Sequence, residues 1–327
     1  MRDCGLRLFL TFVFLSHFLI LSFPQSFTLV ELNCENLFDC KHDSLKQDEE
    51  WLPDGKRHWT PARYWRKLRH IGQEVLSCQQ EGFPDLVALV EVENDSCLFD
   101  LTRRSLLRNA GYAYLMTQSP DVRGIDVALL YQPSTFRPLC YDYLGITPLE
   151  GMRPTRDVLY VQGETVQHDT LHVFVVHAPS RFGGERKSRP NRQLIADRIA
   201  ASMMQLKDNA KVIVCGDFND TAKDPAMCYL EQCGLHNVTA SATGCHGKAK
   251  GTYRYQGRWQ SIDHVLVSKE LTDAVEETCI NDAPFLLEED KKYGGVKPLR
   301  TFNGYRYQRG FSDHLPLVVR FRYPASL

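Results

Sequence analysis

Near its C-terminal end the chain reads Gly310-Phe311-Ser312-Asp313-His314-Leu315-Pro316-Leu317-Val318-Val319. The apolar, β-branched run after the histidine predicts a buried strand. A carboxylate and an imidazole therefore stand at the mouth of that strand. The same pattern occurs upstream, where the apolar residues 212–215 run into Gly216-Asp217-Phe218-Asn219. Two strand ends that carry acid, amide and imidazole groups indicate one site, formed where the strands end.

The rest of the chain alternates apolar runs with helical patterns. We predict further strands at residues 27–32, 86–92, 125–131, 158–161, 171–177, 262–268 and 317–322. Helical spacing predicts helices from Thr60-Pro61 to Val75, at 98–109 and 190–206, and near 224–233. This order fits an α/β fold in which two mixed β-sheets pack face to face with helices outside. A doubly wound nucleotide-binding fold is not expected, because no glycine-rich turn follows the first strand.

Length and charge limit the possibilities further. The chain has 327 residues, which two packed sheets with covering helices can use as one unit. We therefore predict a single domain over residues 27–327. The 39 Lys and Arg residues nearly balance the 40 Asp and Glu residues, so no global field attracts the protein to polyanions. Any affinity for nucleic acid must come from a local patch.

The N-terminal segment has the pattern of a targeting sequence. Residues 6–23 are almost continuously apolar and follow a short head that carries Arg2 and Arg7, as in a signal peptide. The run is also nearly long enough to span a bilayer. We assign residues 1–26 to a signal peptide or an N-terminal membrane anchor, and favour a removed signal. We expect an exported protein, either periplasmic, secreted or membrane-anchored, and the anchor would associate it with a membrane.

The cysteines agree with export. Eleven are present, a count compatible with disulfides in an oxidising compartment. No CxxC pair occurs, so a thiolate zinc site is not expected. Cys34 and Cys215 lie in apolar strand runs and should behave as small hydrophobes. We expect one or two bridges among Cys228, Cys233, Cys245 and Cys279.

Glu91 is the sharpest anomaly, because it is an acid inside the apolar run 86–92. An unpaired carboxylate there would be costly, so a cation should meet it. One interpretation is an ion pair at a strand edge. The functional one is a hard divalent cation, Mg²⁺ or Mn²⁺, with Asn33 adding an oxygen ligand. Asp217 and Asn219 allow two interpretations as well, since Gly-Asp-Phe-Asn is also common turn chemistry.

Histidines beside carboxylates suggest proton transfer. Asp263 and Asp313 each precede a histidine at a strand terminus, and an aspartate on one imidazole nitrogen fixes the tautomer and raises the basicity of the ring. His177 ends a predicted strand and leads to Arg181; a lone histidine there would more often be structural. Arg123 either binds phosphate bidentately or only pairs with Asp126.

Taken in chain order, these motifs resemble a known family. They are Asn33-Cys34-Glu35-Asn36, Glu91, Gly124-Ile125-Asp126-Val127-Ala128-Leu129-Leu130-Tyr131, His177-Ala178-Pro179-Ser180-Arg181, Gly216-Asp217-Phe218-Asn219, Ile262-Asp263-His264 and Ser312-Asp313-His314. The set resembles the endonuclease/exonuclease/phosphatase superfamily, the DNase I-like fold, over about residues 27 to 323. The resemblance implies a four-layered α/β sandwich and metal-dependent cleavage of phosphodiesters or phosphomonoesters.

The resemblance also implies residue roles. Glu91 is similar to the family's metal-binding glutamate, with Asn33 beside it and Asp313 as a further metal ligand. Asp217 and Asn219 resemble the pair that activates water and holds the phosphate. The remaining expected site residues are His314 with its partner Asp263, the second histidine His177, and three phosphate- or substrate-binding positions, Glu35, Arg123 and Arg181. Family members often carry Asp where Glu35 stands.

Three functions remain open at this stage. We favour an exported endonuclease or exonuclease that uses Mg²⁺ or Mn²⁺, acts on nucleic acid and is a monomer. The alternative is a phosphatase or a sphingomyelinase-like phospholipid phosphodiesterase, because the aromatic and basic stretch around Trp51, Trp59 and Trp65 could face a membrane. A simpler interpretation of that stretch puts Tyr64 in the core and Arg66, Lys67 and Arg69 outward. A non-catalytic binding module on the same fold is the third.

Overall fold

A computed structural model describes residues 26–322 of the chain. The strands are β1 (Ser26–Leu37), β2 (Leu86–Val92), β3 (Ala113–Met116), β4 (Asp126–Tyr131), β5 (Phe136–Leu144), β6 (Val158–Thr165), β7 (Thr170–His177), β8 (Lys211–Asp217), β9 (Leu235–Asn237), β10 (Tyr253–Tyr255), β11 (Arg258–Gln260), β12 (Asp263–Ser268), β13 (Val275–Ile280), β14 (Leu287–Glu289), β15 (Val296–Pro298), β16 (Phe302–Asn303), β17 (Arg306–Tyr307) and β18 (Leu317–Arg322). The helices are α1 (Pro61–Ser77), α2 (Asp95–Phe99), α3 (Glu185–Met203), α4 (Pro225–Gln232) and α5 (Lys269–Thr272).

Two six-stranded sheets form the frame. Their orders are β13-β18-β1-β2-β4-β3 and β5-β6-β7-β8-β12-β9. Each sheet has one parallel pair among antiparallel ones, β1 with β2 in the first and β7 with β8 in the second. Both sheets are therefore mixed, which confirms the predicted fold class.

Alternate residues of the strands supply two kinds of core. Leu29 and Val90 of the first sheet pack in one buried cluster with Val173 and Ile213 of the second. Because successive strand residues point to opposite faces of a sheet, the residues next to these four in the sequence pack on the outer faces. Each fully buried aliphatic side chain contributes about 1.5–3 kcal/mol, so the cluster between the sheets and the clusters on the outer faces all stabilise the fold.

Helices cover both outer faces. Leu68 of α1 packs with Val30 and Leu89 behind the first sheet. Ile199 of α3 packs with Phe174 behind the second. The order of layers is thus helix, sheet, sheet, helix, which confirms the four-layered sandwich.

Helix α1 begins as its sequence predicts, with Thr60 extended at the N-cap and Pro61 in the first turn. One expectation for this helix is wrong. Lys67 is not outward but 1% exposed, and its ammonium donates to Thr301 Oγ1 at 2.8 Å and to the Phe311 carbonyl. Helical spacing gave no sign of this, because the acceptors come from a loop far along the chain.

The predicted helix at 98–109 is also wrong. The chain forms the short helix α2, a π-helical turn (Asp100–Arg104) and a 3₁₀ turn (Leu106–Asn109). The hydroxyls of Thr102 and Ser105 donate to carbonyls four residues back, a pattern that bends helices, and Ser105 is extended.

Other boundaries shift in smaller ways. Helix α3 starts at Glu185 rather than 190, with Pro190 inside its second turn. The strands β3, β5 and β13 carry no clear apolar run and were not predicted; β5 is exposed at most of its positions. They lie at the edges of the two sheets, where burial does not impose a pattern.

Cys245 and Cys279 form a disulfide, one of the bridges expected, while Cys228 and Cys233 are free thiols. Cys34 and Cys215 are buried, as predicted. Within residues 26–322 no helix is long and apolar enough to cross a membrane. The predicted signal peptide or anchor, residues 1–26, lies outside the described part except for Ser26, the first residue of β1.

Candidate active site

Three neighbouring strands of the second sheet align three polar side chains in one row. His177 at the end of β7 is opposite Asp217 at the end of β8, which is opposite Asp263 at the start of β12. Gly216 makes this close pairing possible, because its φ is +143° and a Cβ there would lie 1.9 Å from the Val176 carbonyl oxygen. The sheet therefore delivers an imidazole and two carboxylates to the same edge.

The first sheet brings its polar groups to the same place through irregular strand ends. Pairing of β1 with β2 and of β2 with β4 shifts register at this end. Glu35, Asn36 and Glu91, together with Asn219 from the second sheet, have positive φ values between 46° and 62°. Such conformations cost about 1–2 kcal/mol each in non-glycine residues, and clusters of them mark functional sites.

The two edges enclose a cavity of 750 Å³. Its charged and polar lining includes Asn33, Glu35, Asn36, Glu91, Arg123, Arg156, His177, Arg181, Asp217, Asn219, Arg300, Asp313 and His314. Asp263 lies just behind this wall and is 1% exposed. The structure thus gathers all the sequence-predicted site residues in or directly behind one cavity.

His314 and Asp263 form a buried pair. His314 Nδ1 lies 3.0 and 2.8 Å from the two Asp263 oxygens, and the Thr252 hydroxyl donates to the same carboxylate. Burial alone would lower the pKa of His314, but Asp263, followed by Asp217 and Asp313, holds it well above the usual value. These carboxylates therefore favour the protonated ring, and Nε2 is the nitrogen left to meet a substrate.

Asp217 occupies the centre of the site. Its carboxylate accepts the Asn219 backbone N–H at 2.8 Å and the Asn33 side-chain amide at 3.1 Å. Burial, and then repulsion from Asp263, raises the pKa of Asp217 to about 7, while His314 opposes the shift. The carboxyl is thus balanced between its two protonation states near neutral pH.

Glu91 and His177 lie on the other side of Asp217. Glu91 Oε2 accepts the Asn36 backbone N–H at 2.9 Å, and Oε1 is 3.8 Å from His177 Nε2 and 3.7 Å from Arg123. His177 Nε2 is also 3.8 Å from Asp217. Burial, and then the charges of Arg156 and Arg123, holds the pKa of His177 well below its usual value. The surroundings of His177 therefore favour its neutral form, whereas those of His314 favour the protonated form.

Comparisons with known proteins agree with this geometry. A model of the Endonuclease/Exonuclease/phosphatase family matches residues 28–323. The chain belongs to this family. Its members are phosphoester hydrolases that act on substrates including nucleic acids and commonly use divalent metals. Among curated protein sequences, none matches this chain significantly.

Several solved structures are similar in fold. An endonuclease/exonuclease/phosphatase family protein from Bacteroides thetaiotaomicron has a TM-score of 0.61 at 16% identity, covering 92% of this chain and 99% of its own. The mannosyl-6-phosphatase of the same organism has a TM-score of 0.61 at 17% identity, covering 91% and 100%. The human nocturnin catalytic domain with bound sulfate has 0.53 at 18%, covering 91% and 95%.

Two residues expected to bind metal or substrate in this family member are engaged by Arg300. Asp313 lies 2.6 Å from Arg300 Nη2. Glu35 is 3.6 Å from Arg300 Nε and accepts the backbone N–H groups of Thr301 and Phe302 at 2.5 and 3.2 Å. Burial, and then Asp313, raises the pKa of Glu35 to about 7. The structure thus gives Glu35 a part in holding the loop that carries Arg300.

The two predicted arginines differ in their contacts. Arg123 does not pair with Asp126, whose carboxylate instead accepts hydrogen bonds from Thr117 and Ser119. Arg123 lies beside Glu91 and lines the cavity. Arg181 donates to the Asn219 carbonyl at 2.6 Å. The ion-pair interpretation of Glu91 is therefore partly correct, because an arginine is near the carboxylate.

Sequence reasoning missed other lining residues. Arg156 is buried, donates to Asp121 at 3.0 Å and to the Ala178 carbonyl at 2.9 Å, and faces the cavity. It lies in irregular chain before β6, where no pattern singled it out. Arg300 and Tyr253 are similar cases, since both reach the cavity from loops or a short hairpin. A family motif would have been the only signal for them.

Proposed function

We propose that this protein is a divalent-metal-dependent phosphoesterase that hydrolyses phosphodiester bonds, and that it is an exported endonuclease or exonuclease. The observation that carries the proposal is the buried Asp263–His314 pair beside Asp217 at the floor of the cavity. A protonated imidazole next to a carboxyl with a pKa of about 7 provides an acid and a base within one site.

The donor set fits Mg²⁺ or Mn²⁺. Asp217, Asp263 and His314 have potential ligand atoms within 4.8 Å of one another. Since Asp263 and His314 are already hydrogen-bonded to each other and Asp217 is the base, we assign the ion to an oxygen of Glu91, with the Asn33 amide oxygen beside it. Hard cations prefer such ligands. When bound, the metal would neutralise charge on the phosphate and stabilise the leaving oxygen.

The crowding of carboxylates beside Glu91 supports the assignment independently of the family. Asp263 and Glu91 both repel the Asp217 carboxylate, and His314 offsets part of this repulsion. Arg123 is 3.7 Å from Glu91 and His177 is 3.8 Å from it, and both distances are too long for a strong hydrogen bond. A divalent cation would relieve the repulsion that these carboxylates share.

The protein groups divide the hydrolytic step between them. Asp217 takes a proton from the attacking water, whose oxygen forms the new bond to phosphorus. As the bond to the leaving oxygen breaks, His314 donates its Nε2 proton to that oxygen. Asp263 fixes the ring orientation, Asn219 holds Asp217, and the neutral His177 and Arg123 bind the phosphate oxygens.

The described residues weaken the membrane alternative. Trp51 and Trp59 are 4% and 0% exposed, and of the three tryptophans in the stretch Trp65 alone, at 41%, lies at the surface, so the stretch does not present a surface of tryptophans. A phosphatase remains the competing enzyme, since one of the proteins similar in fold is a mannosyl-6-phosphatase. A non-catalytic module is disfavoured, since every acid and histidine that the resemblance requires lies at the cavity.

A substrate panel tests the proposal. The protein is assayed on plasmid DNA, RNA, sphingomyelin and a simple phosphomonoester, with Mg²⁺, with EDTA and after Mg²⁺ is restored. We expect metal-dependent cleavage of a nucleic acid, reduced by orders of magnitude in Glu91→Gln. Glu164→Gln is the control, because Glu164 pairs with Arg137 on β5 and does not line the cavity.

Each of the other possible results of these assays contradicts a part of the proposal. Wild-type activity in Glu91→Gln or in EDTA would refute the metal role. Cleavage of the monoester alone would replace the nuclease with a phosphatase, and binding without hydrolysis would favour the module. Export is tested separately by sequencing the N-terminus of the protein recovered outside the cytosol of an expressing cell; recovery only inside would contradict it.

A further inference from the structure

Phe182 is an exposed aromatic residue at the entrance of the active site. Its exposed fraction is 91%, the largest among the aromatic side chains of the described residues. The Gly184 N–H donates to the Arg181 carbonyl at 3.0 Å, and Gly183 has φ +81°. This is the pattern of a type II turn with Phe182 at its first central position. The turn therefore projects the ring into solvent.

The turn is tied to the catalytic residues. Arg181, directly before Phe182, donates through Nε to the Asn219 carbonyl at 2.6 Å and through Nη2 to Asp224 at 3.1 Å. The same segment begins at His177, the end of β7. The position of Phe182 is thus fixed relative to the site, although its ring is free of the core.

Phe182 also lines a second cavity of 750 Å³ next to the first. Arg123, Arg156, Ser180 and Phe182 border both cavities. The second cavity adds the cations Arg153 and Lys187 and the acid Glu150, while its other acid, Asp121, is neutralised by Arg156. Its lining is therefore positive on balance, which suits a phosphate-bearing chain that continues out of the active site.

We propose that Phe182 determines specificity by stacking on a nucleobase of the substrate, at the point where the substrate passes from the catalytic cavity into the second cavity. This inference rests on the proposed phosphodiester hydrolysis. A ring that is 91% exposed packs little on the described residues, and aromatic side chains stack on every base because each base has a π-face. The shared arginines hold the phosphates on either side.

Single exposed apolar residues are common on protein surfaces. Phe182 differs from them because it lies between the two cavities. Met204 is 82% exposed but lines a separate hollow at the C-terminal end of α3. It provides a matched control, because its replacement removes a similar exposed apolar side chain without touching either cavity.

The test compares two diesters that share one leaving group. They are thymidine 5′-(4-nitrophenyl phosphate) and methyl 4-nitrophenyl phosphate, and the quantity measured is kcat/KM for release of nitrophenolate. We expect the wild type to prefer the thymidine ester. Phe182→Ala should lose about tenfold or more on that ester and nothing on the methyl ester. Phe182→Trp should retain the preference, Phe182→Leu should lose it, and Met204→Ala should match the wild type.

The outcomes separate this inference from the proposed function. If the wild type hydrolyses both esters but Phe182→Ala keeps the wild-type ratio, or loses activity on both equally, stacking by Phe182 is refuted and the hydrolase stands. If the wild type hydrolyses neither ester while it hydrolyses a monoester, the diesterase proposal fails and the stacking role fails with it. Thermal melting confirms that each variant is folded.

Discussion

Replacing Asp263 by Asn removes the negative charge from the His314 pair while keeping the size of the side chain. The closest contact of the pair is 2.8 Å, and both residues are buried. At that distance two unit charges attract by about 6 kcal/mol for an effective dielectric constant of about 20. Breaking a buried pair costs about 3–5 kcal/mol in practice. If the protonated ring is needed in the transition state, that loss corresponds to a rate decrease of about 10²–10⁴.

The pH dependence gives the sign of the effect. In the wild type, Asp263 keeps the pKa of His314 well above its usual value against the opposing effect of burial, so the acid form persists through neutral pH. In Asp263→Asn burial dominates, the pKa of His314 falls, and the loss of rate with rising pH begins at lower pH. The assay is kcat/KM on a chromogenic diester from about pH 5 to about pH 9.

Asp169→Asn is the control. Asp169 pairs with Lys211 at 2.6 Å, beside the starts of β7 and β8, whereas His177 and Asp217 lie at the other ends of these strands. It should leave rate and profile unchanged. Thermal melting of both variants separates misfolding from lost chemistry. A folded Asp263→Asn with the wild-type rate and profile would refute the assignment of His314 as the acid.

Three further predictions concern stability. Glu74 is buried without a hydrogen-bond partner among the described residues, and burial raises its pKa to about 8. The wild type should therefore lose about 3–5 kcal/mol of unfolding free energy as pH rises from about 4.5 through 8. Urea unfolding should show a smaller loss in Glu74→Gln, and equal losses in the two proteins would contradict this prediction. Reduction, or replacement by serine, of the Cys245–Cys279 disulfide frees a loop with a sequence separation of 34 and should cost about 2–4 kcal/mol; an unchanged melting temperature would refute it. Lys67→Met removes the buried ammonium that donates to Thr301 Oγ1 and shares the Phe311 carbonyl with the Thr301 hydroxyl, and it should destabilise the protein by about 1–3 kcal/mol, measured again by urea unfolding; a more stable variant would contradict the structural role of the lysine.

The sequence predicted the central part of the site because strands constrain it. Glu91 is conspicuous as an acid in an apolar run. The apolar residues of three other strands predict those strands, and the strands have His177, Asp217 and Asp263 at their ends. Strand pairing then brings the ends together, as in the row across β7, β8 and β12. The pairing of Asp263 with His314, 51 residues apart, needed the family resemblance as well.

Loops explain most of what the sequence did not predict. Arg156 and Phe182 reach the cavity from segments with no periodicity, where position depends on tertiary contacts. Lys67 has helical spacing that suits either solvent or a buried acceptor, and its acceptors come from the distant loop around Phe311. Ser105 ended a helix through hydrogen bonds of its own side chain, which compete with the apolar pattern.

The most direct test of the proposed site locates the metal. Crystals grown with Mn²⁺ and measured at the manganese absorption edge should show an anomalous peak about 2–2.5 Å from an oxygen of Glu91, and the peak should disappear in Glu91→Gln. A peak held by Asp263 and His314 away from Glu91, or no peak in the cavity at saturating Mn²⁺, would contradict the proposed site.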